Sequence, residues 1–136
     1  MKAMGLDIGS VTVGIALSDG LKMIASAYSV IRYEQEDEKL FQQIVKIIDE
    51  EEVDELIVGM PYHMNGDFSQ GCERTRRFEE EILKLKKIKI VEIDERMSTV
   101  SAQNALLTFD VSRKKRKQVV DKVAATIILQ TYLDSK

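Results

Sequence analysis

The amino-acid sequence predicts an α/β domain: a mixed five-stranded sheet, three antiparallel strands followed by βαβ crossovers, with helices on both faces. Three observations carry that expectation. Short runs of Ile, Val and Leu alternate at period two near the start of the chain, longer segments repeat apolar residues at helical spacing, and the two kinds interleave from residue 36 onward. At 136 residues, with one proline and seven glycines, the chain has ordinary single-domain size and little material for linkers, so residues 1–136 are read as one domain.

Lys2 to Ile8 reads as a buried strand. Gly9-Ser10 turns the chain into Val11, Val13, Ile15 and Leu17, which alternate with Thr12, Gly14, Ala16 and Ser18 as an antiparallel second strand. Asp19-Gly20 signals another turn, and Ile24 to Ile31 supplies a third strand. From Glu36 to Glu51, Leu40, Ile44 and Ile48 recur at helical spacing beside Phe41 and Val45, with acids outward. Asp54 to Gly59 is a short buried strand stopped by Pro61, and the loop after it carries Asn65-Gly66. Cys72 to Lys86 predicts a helix that buries Phe78, Ile82 and Leu85; Ile88 to Ile93 follows as a strand. Ser98 to Leu107 reads as a short helix capped by Ser98 or Thr99. Val119 to Leu133 closes the chain as a helix with a stripe through Val120, Ala124, Ile127 and Thr131, flanked by Val123 and Ile128.

Composition excludes several classes. The lone Cys72 cannot form an internal disulfide, no Cys/His cluster of zinc spacing exists, and the apolar run before Asp7 is too short for a signal-peptide core or a membrane span. A cytoplasmic protein without a membrane partner is expected. The net charge of −3 hides an asymmetry: residues 1–60 hold 5 Lys and Arg against 12 Asp and Glu, while residues 61–136 hold 15 against 11. The densest basic run is Arg113 to Lys117, which reads either as a phosphate-contacting patch or as a solvated loop.

Three acids could be aimed at one point: Asp7 ending an apolar strand, Glu95 just past another, and Asp121 opening the last helix. Hard divalent cations take oxygen ligands, and two held together can drive phosphodiester hydrolysis. Each acid also has a plainer reading. Asp7, beyond the small residues Ala3 and Gly5 on one strand face, could accept backbone N–H bonds from Gly9 and Ser10 in an Asx-type turn. Glu95 and Arg96 could form a surface ion-pair loop, and Asp121 could simply complement the helix dipole. His63, the only histidine, sits in a loop as a candidate general base or substrate contact, with Ser10 a second auxiliary candidate. Arg74, Arg76 and Arg77 open the predicted second helix against the dipole, which hints at an anion.

Assembled, these residues resemble the YqgF-type family of pre-16S rRNA nucleases, also described as Holliday-junction-resolvase-like, within the ribonuclease H-like superfamily. Four blocks carry the likeness: Gly5 to Ser10 with Val13 to Asp19; Val58 to Pro61 through Asn65-Gly66 to Phe78; Asp94 to Thr99; and Arg116-Lys117 through Asp121, Ala124-Ala125 and Ile128 to Gln130 to Asp134. The chain departs from the family pattern at Val11-Thr12, Met60 and Tyr62-His63.

The resemblance implies a ribonuclease H-like fold and a nuclease that matures the 5′ end of the 16S rRNA precursor. It also implies Asp7, Glu95 and Asp121 as the acidic site. In that reading they hold Mg²⁺ or Mn²⁺, while Arg96, Arg74, Arg77, Arg113, Lys114 and Arg116 contact nucleic-acid phosphates. Branched DNA is the alternative substrate, the protein acting as a monomer or a homodimer. A nucleotide-binding module of the actin/sugar-kinase type, which also opens with Asp-x-Gly-Ser and a hairpin, and a non-catalytic RNA-binding assembly factor are the competing classes.

Overall fold

A computed structural model describes residues 1–62, 69–94 and 113–135. The sheet is the predicted one. Strands β1 (Lys2–Ile8), β2 (Thr12–Ser18), β3 (Ala25–Arg32), β4 (Val53–Met60) and β5 (Lys89–Asp94) lie in the order β3-β2-β1-β4-β5. β1 pairs antiparallel with β2 and parallel with β4, β2 antiparallel with β3, and β4 parallel with β5. Helices α1 (Glu38–Glu50) and α2 (Gln70–Leu85) make the two crossovers, and α3 (Arg113–Asp134) closes the chain.

Strand parity sorts the core into two layers. Met4, Leu6 and Ile8 of β1 join Leu40, Phe41, Ile44, Ile48, Phe78 and Ile82 of α1 and α2 on one face. Ala3 joins Ala16, Ile57, Ala125, Ile128, Leu129 and Leu133 on the other, against α3. Being covered on both sides is why β1 is apolar at nearly every position. Gly5 shares the α3 face, and a Cβ there would lie 2.8 Å from both the Ala125 carbonyl oxygen and the Leu129 Cβ, so backbone packs directly on backbone.

Local chemistry sets the helix starts. The Asp37 carboxylate accepts the Leu40 N–H at 3.0 Å, and Ser69 Oγ accepts the Cys72 N–H at 3.1 Å. That serine cap starts α2 at Gln70, earlier than the predicted Cys72. Leu85, expected inside, is the last residue of α2 and stands 41% exposed past the buried row Cys72, Thr75, Phe78 and Ile82. The predicted helix Ser98 to Leu107 lies outside the described residues.

The last helix differs most from expectation. It begins at Arg113, so the basic run forms its first turns rather than a loop, in keeping with the high helix propensity of Arg and Lys. Its buried residues are Ala124, Ala125, Ile128, Leu129 and Leu133, so the expected Ala124 and Ile128 are inside, whereas Ile127 is half-buried and Thr131 is outside. Thr131 is exposed and donates its hydroxyl to the Ile127 carbonyl at 2.7 Å. The close approach allowed by Gly5 selects the row containing the small Ala125.

Polar bonds gather at the pole where β1 starts. Gln130 accepts the Ala25 N–H at 2.8 Å and donates to the Met23 carbonyl at 3.0 Å, tying α3 to the head of β3. Lys22, in left-handed backbone at φ 56, reaches Asp54 at 2.7 Å and Glu55 at 2.6 Å, and the Tyr132 hydroxyl donates to the same buried Glu55 at 2.5 Å. These bonds clamp one end of the sheet and leave the other for chemistry.

Candidate active site

The opposite pole is where β1, β4 and β5 end. Asp7 stands there half-buried, paired across to Gly14, on the strand face that Ala3 and Gly5 share toward α3. The Gly9 N–H, which an Asx-type turn would direct to Asp7, donates instead to the Thr12 carbonyl at 2.8 Å. Parallel pairing sets Leu6 level with Val58 and Met60 level with Asp94, so β5 ends at the height of the β1 terminus. Glu95 follows immediately in sequence; it, Arg96 and His63 lie outside the described residues.

α3 runs antiparallel to β1. Tyr132 bonds Glu55, which pairs with Ala3, whereas Ala125 and Leu129 meet Gly5. Moving up β1 from Gly5 to Asp7 therefore corresponds to moving back along α3 from Ala125. Asp121 stands one turn earlier in the same i, i+4 row. The helix-dipole account of Asp121 fails: it is eight residues inside α3, beyond the reach of the terminal charge. Among the described residues no three His, Cys, Asp or Glu side chains gather into a metal-holding group.

The basic residues divide. Arg113, Lys114 and Arg116 belong to the first turn or so of α3, eight to five residues before Asp121, which at 1.5 Å per residue projects them about 7–12 Å further out from the sheet. A helix N-terminus with no acid in its first turn adds its own positive end to theirs. On α2 the early start places Arg74 and Arg77 in the second turn and after, so the dipole does not oppose them. Arg77 forks onto Glu36 at 3.1 and 3.0 Å, and Arg76 reaches Glu92 at 3.5 Å. Arg74 is half-buried within electrostatic reach of the Tyr33 hydroxyl. Burial pushes that hydroxyl above its usual pKa, and Arg74 opposes the shift. Ser10 is exposed in the turn after β1.

Two features of this end had escaped the sequence reading. Tyr33 is a single aromatic after β3, outside any periodic pattern, yet it is only 8% exposed and donates its hydroxyl to the Gly9 carbonyl. Glu79 of α2 has a buried Oε2 without a hydrogen-bond partner, and burial first, then Glu92, pushes its carboxyl up to about 8. A proton on Glu79 at neutral pH accounts for two acids facing each other across α2 and β5. Between pH 4.5 and about 8 the unfolded chain releases that proton while the native state keeps it, so this group's contribution to stability falls as pH rises through the window. Glu79→Gln is expected to melt with the wild type near pH 4 and above it at pH 8–9. Parallel melting curves across the range would refute the shared proton.

Comparison with known proteins bears on this arrangement. The model of the family described as "RuvX: Holliday junction resolvase" matches residues 1–135. A protein of Geobacillus sp. named "Putative pre-16S rRNA nuclease" is 44% identical over 100% of this chain and 99% of its own length. One of Bacillus cytotoxicus with the same name is 42% identical over the full length of both. Among solved structures, Thermus thermophilus RuvC in complex with a Holliday junction substrate superposes with a TM-score of 0.59, covering 99% of this chain and 96% of that one at 10% identity, a likeness of fold.

Proposed function

This chain belongs to the RuvX family of Holliday junction resolvases, a family of phosphodiester-cleaving nucleases, and from that premise we propose that it is a metal-dependent endonuclease processing the 5′ end of precursor 16S rRNA in the cytoplasm. The observation that carries the proposal is the closeness of α3 to β1 at Gly5, from which this reading puts Asp121, one turn before Ala125, near Asp7 at the sheet edge where β5 ends. The full-length relatives named for pre-16S rRNA favour RNA over branched DNA as the substrate.

Asp7, Glu95 and Asp121 are the residues that would hold Mg²⁺ or Mn²⁺. The fit rests on donor chemistry: carboxylate oxygens suit hard cations, and a half-buried acid at a strand end gains from a cation beside it. Val91 and Ile93 of β5 pack toward α3, and Glu95 is the next residue of that parity. When bound, such ions would supply an activated water and offset charge on the leaving oxygen. The protein's own part is to seat the strand. Arg113, Lys114 and Arg116 on α3, with Arg96 and Arg74, neutralise backbone phosphates and orient the scissile bond toward the acids, with Ser10 and His63 as auxiliary candidates. Arg77, held by Glu36, contributes to the field rather than gripping phosphate. Binding therefore weakens steeply with salt.

Among the described residues no helix is long and apolar enough to cross a membrane, which is compatible with acting on RNA in the cytoplasm. The decisive experiment incubates purified protein with Mg²⁺ or Mn²⁺ and, in parallel, precursor 16S rRNA or a synthetic four-way junction, while sedimentation gives the oligomeric state. The expected result is cleavage in the 5′ leader of the RNA. Cutting of the junction alone, by a dimer whose symmetry matches it, would reassign the substrate. Cutting of neither would remove the nuclease reading.

A further inference from the structure

We propose that Tyr33 is a positioning residue for Asp7, holding the turn that follows β1 so that the carboxylate stays where a divalent cation can use it. This rests on the reading of Asp7 as a metal ligand. Asp7 is followed by Ile8, the end of β1, and then by a tight reversal from Gly9 to Thr12 into β2. Tyr33 bonds that reversal twice. Its hydroxyl donates to the Gly9 carbonyl and its backbone N–H donates to the Val11 carbonyl at 2.9 Å. The third bond of the turn, Gly9 N–H to the Thr12 carbonyl, is internal at 2.8 Å. A Cβ at Gly9 would lie 3.2 Å from that same carbonyl oxygen, so the turn has little slack.

The phenol is itself fixed from the core. Its ring meets Phe78 of α2 edge-on at 5.7 Å, and Phe78 meets Phe41 of α1 edge-on at 5.0 Å. The hydroxyl is thus aimed by ring packing from both crossover helices, and its one bond transmits that rigidity to the backbone two residues beyond Asp7. A ligand held by an ordered strand end loses less freedom on binding than one on a loose turn. Because Tyr33 touches neither cation nor RNA in this scheme, it acts only through the position of Asp7.

Tyr33→Phe keeps the ring and removes the hydroxyl, and titration calorimetry with Mn²⁺ on the free protein reads the consequence. One neutral hydrogen bond corresponds to roughly a threefold to tenfold rise in the Mn²⁺ dissociation constant. At sub-saturating Mn²⁺ the cleavage rate should fall by the same factor, with KM for RNA unchanged. Tyr28→Phe is the control, since the Tyr28 hydroxyl faces Glu51 at the other pole at 3.4 Å, and it should match the wild type. Equal Mn²⁺ affinity in Tyr33→Phe and wild type, whatever its melting temperature, would reduce Tyr33 to a packing residue. A wild type that binds no Mn²⁺ would overturn the metal reading of Asp7 and this role with it.

Discussion

Gly5→Val should disable the protein on two counts at once, and Gly5→Ala should show the same defects in milder form. The substituted Cβ lands 2.8 Å from the Ala125 carbonyl oxygen and 2.8 Å from the Leu129 Cβ, one of them rigid helix backbone. Neither can yield without moving α3 away from β1. Overpacking of this kind costs roughly 1–3 kcal/mol, with valine's two further methyls at the upper end or beyond. The displaced helix is the one that carries Asp121, so activity should fall further than the loss of folded protein explains. Urea unfolding gives the stability change; cleavage rates under conditions where each variant is fully folded isolate the second effect. Full activity per folded molecule in Gly5→Ala would mean that the spacing of β1 and α3 does not set the site. Leu129→Ala in the Gly5→Ala background tests the mechanism from the other side. Its shorter side chain still bears a Cβ, so the clash persists and no rescue is expected.

The same contact explains what was legible in the sequence. Five strands and their mixed sense followed from apolar runs and turn residues, because a strand buried on one face alternates along its length and one buried on both, like β1 and β4, reads as a short continuous apolar run. The α1 stripe was equally plain, since Leu40, Ile44 and Ile48 face a large apolar layer. The face of α3 was legible only in part: Ala124 and Ile128 are buried as expected, but the tightest contact is made by Ala125 against a glycine, which carries almost no hydrophobic signal, whereas Ile127 and Thr131 continue an apparent stripe without being buried. The extra turns from Arg113 were missed because charge was read as loop, although Arg and Lys are good helix formers. At the site, Asp7 stood out as an acid ending an apolar strand. Tyr33 and Glu79 did not, because their partners, Gly9 and Glu92, lie 24 and 13 positions away in sequence and meet only in the fold.

Asp7→Asn separates a metal ligand from a merely structural acid. Asparagine preserves size and a carbonyl acceptor while removing the charge, so a role confined to accepting backbone N–H bonds would be largely kept. A role in holding divalent cations would not. The transition-state stabilisation that such ions provide is several kcal/mol, and each 1.36 kcal/mol is tenfold in rate, so cleavage should fall by roughly 10³-fold or more. Thermal unfolding supplies the independent reading. A cation that binds only the native wild type raises its stability by about 2.7 kcal/mol at a hundredfold excess over the dissociation constant, and this increment should vanish in Asp7→Asn. Without metal the variant should melt close to the wild-type temperature, because asparagine keeps the size and the carbonyl acceptor. Asp121→Asn should reproduce the pattern, since in the proposed site both carboxylates would hold the same cations. If Asp7→Asn lost stability equally with and without Mg²⁺ or Mn²⁺ while cleaving RNA at the wild-type rate, the carboxylate would be a fixture of the turn, and the basic run that opens α3 would alone remain to explain how the protein meets nucleic acid.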